Sequence, residues 1–517
     1  MPFGKDGKIG VRHPLLLGCI FFQVVWGRAG TDGNAVHTLT MRGLHQLYSL
    51  EIDSAESSFD SVARMAPGDP RGPFFRSIVH FYLYGLNRDE RELTTFLDES
   101  EEVIDVCDSL LDRNSGDATT KFYLGGIYGY RGLAYQTSGS MLKAARDGRK
   151  GYLLLEEAVN EEPDLYDACM GFGLFRYLLA KLPKSMRWIL SVLGFQGDLE
   201  GGLQYLRMAA DKGIYTRTEA SLYLAQFMFA EGRPDTALIY LNRLRTEYPR
   251  NTLFLVLYAF WQHRMHNLDE AMVAARRAIE MNNRSRIHFG EELAYSTLGS
   301  IYFTLNKFDS AGVYYRLYMH MTVNDERSPN STILRAGLSC ELAGDRATAL
   351  QFYARMREPN ARDQAWDSYN YRQGRELLGH PLSPAEALVI RAGNELTRKM
   401  YAESIASCAR ALAISGGNVD TRLKALYGLQ QAQFEAGQFS PAEETARTLL
   451  VLAPVQETWI VPHAWFKLGQ TYLQEGRLPE ARAAFEKVKT YDDYDFQDRL
   501  EPRVKEELEK LDNRTAH

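Results

Sequence analysis

The stretch PHAWFKLGQTYLQEGRLPEARAAFEKVKTYDDYD, residues 462–495, sets the register for the whole chain. Trp465, Leu468, Gly469 and Tyr472 recur at helical spacing, and Gly476 then interrupts the pattern. Ala481, Phe485 and Val488 begin a second apolar stripe. Small residues at Gly469 and Ala481 let two helices approach closely, and the rings of Trp465, Tyr472 and Phe485 fill the space between neighbouring pairs. Leu478-Pro479-Glu480 opens the second helix with proline where its missing N–H is harmless and its φ is already helical. One such hairpin leaves an apolar face uncovered, so several must stack.

The pattern resembles the tetratricopeptide repeat, which implies an all-α fold: a right-handed α-solenoid of helical hairpins with helical insertions. With the second-helix alanine as marker, the units align on Ala237, Ala271, Ala311, Ala349, Ser404, Ala442 and Ala481. The first interval is 34 residues, the period of the repeat, and most others are 38 to 40, as longer connections between hairpins would give. Small residues stand twelve positions earlier at Ala225, Ala259, Gly299, Gly337, Ala392 and Gly469, with Gln430 as the departure. Gly232, Gly344, Gly437 and Gly476 are placed to end first helices, and Pro67, Pro249 and Pro454 follow second ones. Ser383-Pro384-Ala385-Glu386 and Ser440-Pro441-Ala442-Glu443 read as capping boxes with proline at the first helical position. No strand pattern is visible.

A chain of 517 residues exceeds one compact core, and its 45% hydrophobic and 12% aromatic content excludes a disordered chain. The net charge of −6 is modest and the signs are interspersed, which argues against a nucleic-acid partner. At the start, Lys5, Lys8, Arg12 and His13 precede the apolar run Pro14 to Trp26 and then Gly27-Arg28-Ala29. This reads as a secretory signal peptide over 1–29, hence export, to the periplasm or cell envelope in a bacterium. Leu16-Leu17-Gly18-Cys19 resembles a lipoprotein box, but the apolar run continues past Cys19, so lipidation ranks second. An uncleaved anchor ranks third, because the run is short for a bilayer span. Cys107, Cys169, Cys340 and Cys408 are far apart and lie in helical patterns, so they read as small buried hydrophobes.

In chain order, divergent hairpins with insertions occupy 34–215 and a regular array 216–357. An extra helix or inter-module segment spans 358–383, a second array 384–495, and a polar capping helix and tail 496–517. Gly43, Ala55, Phe59 and Pro67 match one unit, and 73–112 forms another hairpin with a connector near Asn87 to Arg91. Leu124-Gly125 with Tyr128 begins a unit whose second helix is expected at Gly151 to Asn160, with an insertion of about 14 residues between them, including Gly132 to Gly148. Within 151–213, Gly171-Phe172-Gly173-Leu174-Phe175, Leu182-Pro183, Leu193-Gly194-Phe195-Gln196-Gly197-Asp198 and Gly202-Leu203 resemble the tetratricopeptide repeat protein 39 family and its fungal inclusion-body-clearance relative. That resemblance implies repeat architecture, adaptor behaviour and an association with membranes or lipid. A secretory signal departs from that largely intracellular family, so its cellular role is not carried over.

The repeat frame puts Gln226, Phe229, Phe260, His263, Ser300 and Phe303 on the concave lining of three consecutive units. Such a row suits a protein or peptide partner with apolar anchors, although any single ring reads first as packing between hairpins. The Lys and Asn pattern that clamps a peptide carboxylate is missing from the first helices. Residues 177–194 combine an apolar series with Lys181, Lys184, Arg187 and Trp188. The stretch either folds back into the solenoid or lies on an anionic membrane surface, and the buried reading carries more weight. His263-Arg264-Met265-His266, Met319-His320-Met321 and Ser140-Met141-Leu142-Lys143 are too short and unaccompanied to mark metal or nucleophile chemistry. No catalytic residue, metal or cofactor is expected. Oligomeric state is left open.

Overall fold

The structure, a computed structural model, describes residues 29–87, 89–182, 195, 197–285, 288–322, 329–359 and 365–515. Among them are 24 helices and no strand. The expected signal peptide and Cys19 lie outside the described residues apart from Ala29. The chain divides into two compact units, the first ending at Phe172 and the second beginning at Gly173.

The first unit contains three hairpins: α1 (Ala29–Tyr48) with α2 (Ile52–Met65), α3 (Arg71–Asn87) with α4 (Glu90–Leu111), and α5 (Ala118–Thr137) with α6 (Met141–Glu161). Here one expectation is corrected. Residues 132–148 are not an insertion between helices, because they lengthen both helices of the third hairpin. The cause is a glycine seam. A Cβ at Gly132 would meet the backbone of Gly148 at 3.1 Å, and one at Gly151 would meet Gly125 O and Gly129 N at 2.8 Å. Without side chains there, the two backbones stay in contact along the hairpin, and Arg131 locks it by donating to Asp147 Oδ2 at 3.0 Å and Ser100 Oγ at 2.6 Å.

Helix α7 (Tyr166–Lys181) contains the boundary between the units. Its second half pairs with α8 (Leu199–Lys212) at a crossing of two glycines, where a Cβ on Gly173 would lie 2.8 Å from Gly202 O. The second unit continues with hairpins α9 (Arg217–Ala230) and α10 (Pro234–Glu247), α11 (Thr252–Arg264) and α12 (Leu268–Asn282), α13 (Glu291–Thr304) and α14 (Phe308–Met321), and α15 (Asn330–Leu342) and α16 (Arg346–Ala354). A single helix, α17 (Ala365–Gly379), precedes hairpins α18 (Pro384–Thr397) and α19 (Tyr401–Ile414), α20 (Val419–Glu435) and α21 (Phe439–Leu450), and α22 (Ile460–Gln474) and α23 (Leu478–Val488). Helix α24 (Gln497–Thr515) follows, with Leu500, Val504 and Leu511 buried in the same cluster as Phe485 and Val488. Its charged residues Glu501, Lys505 and Glu509 are exposed.

The marker residues behave as one register. Ala225, Ala259, Ala392 and Gln430 are buried, as are all seven second-helix markers. Seven positions after each first-helix marker the backbone turns left-handed, at Gly232, His266, Asn306, Gly344, Lys399, Gly437 and Gly476, with φ between 59° and 88°. Glycine is the easy occupant of that turn, and His266, Asn306 and Lys399 adopt it against a cost of about 1 kcal/mol. The Ser383 capping box forms, with Ser383 Oγ accepting from Glu386 N at 3.2 Å and Glu386 Oε2 from Ser383 N at 2.8 Å. The Ser440 box does not. The ring of Phe439 turns edge-on to Phe434 at 5.7 Å, and α21 starts at Phe439, leaving Ser440 inside its first turn.

Candidate functional site

First helices α9, α11 and α13 carry the six residues expected to line a groove. Gln226, Phe229, Phe260, His263 and Ser300 are half-buried. Phe229 stacks on Trp261 of the next hairpin at 4.8 Å and 8°, whereas Phe260 makes no ring-to-ring contact among the described residues. Ser300 Oγ and Tyr315 Oη share a hydrogen bond at 2.9 Å, and Arg335 Nη1 donates to Ser300 Oγ at 3.4 Å. Burial first, then the positive charge of Arg335, pushes His263 down to about 4, so its ring is neutral at pH 7.

Phe303 is placed differently from its expected role. It is buried, edge-on to Phe308 at 5.4 Å, with the Arg335 guanidinium 5.7 Å from its ring centre. The reason is a distant helix. Asn394 of α18 donates to Phe303 O and to Asn306 Oδ1, both at 2.8 Å, while Asn306 Nδ2 donates to Arg391 O at 3.3 Å. The Arg391 guanidinium sits 4.8 Å over the Phe308 ring. Helix α18 therefore packs against the end of α13, and Phe303 belongs to the buried layer there. Arg335 is the residue that sequence reading missed. It stands on α15 two positions before the marker Gly337, a place the repeat frame does not flag.

A second polar centre was also missed. The Glu457 carboxylate, 2% exposed, accepts from Lys424 Nζ at 2.6 Å, Trp459 Nε1 at 2.5 Å, Gln373 Nε2 at 3.0 Å and Tyr369 Oη at 3.1 Å. Tyr369 and Gln373 belong to α17, and Lys424 to the first helix α20. Tyr369 also meets Trp459 and Phe496 edge-on, and Arg372 pairs with Asp495 at 2.5 Å. Burial raises the Tyr369 phenol well above its ordinary range, with the Glu457 charge adding to it. His463, ringed by Tyr427, Trp459, Tyr494 and Phe496, is pushed by burial to about 4. Helix α17 thus supplies the partners that the face around Lys424 and Glu457 needs.

Of the four residues expected at a membrane surface, only Lys181 lies among the described residues; Lys184, Arg187 and Trp188 lie outside them. Lys181 Nζ pairs with Glu231 Oε1 at 2.5 Å, and the same oxygen accepts from Tyr177 Oη at 2.6 Å. The Tyr177 ring stacks on Phe227 at 3.8 Å. No described helix is long and apolar enough to cross a membrane, and no three His, Cys, Asp or Glu side chains are grouped to hold a metal ion among the described residues. Cys107, Cys169, Cys340 and Cys408 are buried and unpaired.

Residues 167–322 match the sequence profile of the Iml2/Tetratricopeptide repeat protein 39 family, and residues 427–495 match that of the tetratricopeptide repeat. No curated protein matches the chain. Among solved structures, a tetratricopeptide repeat protein from Parabacteroides merdae is similar at 15% identity, over 56% of this chain and 97% of its own, with a TM-score of 0.24. The human IFIT1 dimer with m7Gppp-AAAA is similar at 14% identity, over 89% and 95%, with a TM-score of 0.35. Yeast Tom70 is similar at 13% identity, over 93% and 97%, with a TM-score of 0.26.

Proposed function

For this chain of tetratricopeptide repeats we propose a non-catalytic scaffold that holds an extended or helical protein segment along α9, α11 and α13. The observation that carries this reading is the row of half-buried side chains, Gln226, Phe229, Phe260, His263 and Ser300, at equivalent positions of three consecutive first helices. Phe260 offers an apolar anchor with no ring stacked on it among the described residues. Arg335 adds a cation beside Ser300, so a segment with an apolar residue followed by an acidic or carbonyl-rich turn suits the lining. Close packing at the buried Ala225, Ala259 and Gly299 beneath keeps the row rigid, which limits the ordering entropy lost on binding. Crosslinking and mass spectrometry in the native host with the wild-type chain and with Phe260→Ala tests this. Loss of a reproducible partner in the variant, with the fold kept and unfolding only slightly easier, supports the groove; unchanged capture removes it.

The basic and apolar start, ending at Gly27-Arg28-Ala29, supports export with cleavage after Ala29, ahead of lipidation at Cys19. N-terminal sequencing of the protein from its host decides between them: a start at Gly30 supports cleavage, and a retained Met1 or a lipid-modified Cys19 overturns it.

A further inference from the structure

The tip of the third hairpin of the first unit carries the most exposed large apolar side chain among the described residues, Leu142. Helices α5 and α6 have 20 and 21 residues, against 13 to 15 in α9 to α14. Just past the turn at Gly139, Met141 is 59% exposed and Leu142 is 90% exposed. Behind them Lys143, Arg146, Arg149 and Lys150 are all exposed. The one carboxylate of this stretch, Asp147, is 1% exposed and faces Arg131 at 3.0 Å and Arg146 at 2.8 Å. Lys143 lies 5.3 Å from the Tyr135 ring centre and Lys150 4.2 Å from that of Tyr128. Neither lysine has a carboxylate at salt-bridge distance among the described residues. Positive charge is therefore concentrated here in a chain whose net charge is −6.

The glycine seam and the buried Arg131 network keep the tip stiff, so these side chains are presented together. With a helical rise of about 1.5 Å per residue, the cations from Lys143 to Lys150 follow Leu142 within roughly 12 Å along α6, so an inclined α6 brings them to a headgroup layer about 5–8 Å deep. An apolar pair at the extremity with cations set behind it is the order found across a bilayer from acyl boundary to phosphate. A fluid lipid surface needs no cavity to hold such a tip. We infer that the Ser138–Lys150 tip docks on an anionic phospholipid surface, with Met141 and Leu142 entering the interfacial layer and Lys143, Arg146, Arg149 and Lys150 meeting the headgroups. This stands apart from the groove reading, since it uses none of the same residues.

The test is co-sedimentation of the full chain with phosphatidylcholine vesicles, with and without phosphatidylserine. The wild type should sediment only with phosphatidylserine present, and less as salt rises. Each cation at such a surface contributes roughly fivefold to partitioning, so Lys143→Glu with Arg149→Glu should lower it more than about twentyfold. Leu142→Asn should lower it roughly tenfold through lost apolar burial. Both changes fall on exposed side chains, and thermal melts check that folding is kept. As a second readout, an environment-sensitive dye on Leu142→Cys should shift to the blue on phosphatidylserine vesicles. No sedimentation, a dye unmoved by vesicles, or binding untouched by the tip variants overturns the proposal. So does wild-type binding that soluble polyglutamate matches and Leu142→Asn leaves unchanged, which would assign the tip to an acidic protein.

Discussion

A Cβ on Gly469 would lie 2.5 Å from Cε1 of Phe485, so the ring stands where a side chain would begin. The same relation, sixteen residues apart, joins Gly43 to Phe59 at 2.5 Å and Gly299 to Tyr315 at 2.9 Å, and recurs between Gly337 and Tyr353. Where the first-helix residue is alanine its counterpart is smaller, as in Ala225 with Leu241 and Ala392 with Cys408, all buried. In these hairpins the largest second-helix rings stand opposite glycine.

That pairing predicts the effect of overfilling it. Gly469→Leu should lower stability by about 3 kcal/mol, because the added carbons displace a fully buried ring. Gly469→Leu combined with Phe485→Ala should recover part of the loss. Urea unfolding midpoints measure both, and an undiminished midpoint for the single variant would contradict the packing argument.

Phe260 and Phe303, one and four positions after their first-helix markers, should respond differently. Phe303→Ala empties a buried site under α18 and should cost about 3 kcal/mol. Phe260→Ala, at a half-buried site, should cost about 1 kcal/mol and act mainly on partner capture. Denaturation of the two variants side by side separates structure from binding.

Removing the Glu457 carboxylate should release α17. Glu457→Ala leaves Lys424, Tyr369, Gln373 and Trp459 without their shared acceptor, a loss of about 3 kcal/mol. Amide exchange should accelerate across Ala365–Gly379 more than across Arg217–Ala230. Equal acceleration in both would show that α17 is not held by this carboxylate.

Acid should weaken the second unit within a defined window. Burial holds His263 and His463 near 4, below their ordinary value of 6.5. The unfolded chain takes up these protons first. Stability from the neutral rings is therefore complete above about pH 6.5 and is lost as pH falls toward 4. Unfolding midpoints should decline through that interval, and His463→Gln should flatten the decline.

Thiol reactivity reports both packing and processing. Burial pushes the Cys107 and Cys408 thiols up to about 12 and Cys169 to about 11. The native protein should therefore react slowly with a thiol reagent at pH 8, and all buried thiols should appear on denaturation. Protein from its host should then show four thiols if residues 1–29 are removed, against the five cysteines of the full sequence.

The amino-acid sequence by itself determined the repeat register. Spacings of seven, twelve and sixteen residues follow from which positions are small, which are large and which accept a left-handed turn, and those are short-range properties of each hairpin. The marker at Gln430 was legible only as a departure. In the structure its buried amide reaches across to Ala464 O at 3.1 Å, which ties it to the next hairpin. The glycine seam of α5 and α6 was present in the sequence but was read as an interruption, because glycine marks both loops and close helix contacts. Tertiary structure alone decided which of the equivalent first-helix positions stay partly exposed. Phe229 and Phe303 share one place in the repeat, yet Phe229 is half-buried and Phe303 is buried, where Asn394 of α18 donates to Phe303 O and Arg391 lies over the Phe308 ring. Tyr369, Gln373, Lys424 and Glu457 likewise form a centre only once α17 and α20 bring them to one carboxylate. A periodic pattern specifies each hairpin and its nearest neighbour, whereas burial at longer range depends on how far the chain turns before it meets itself again.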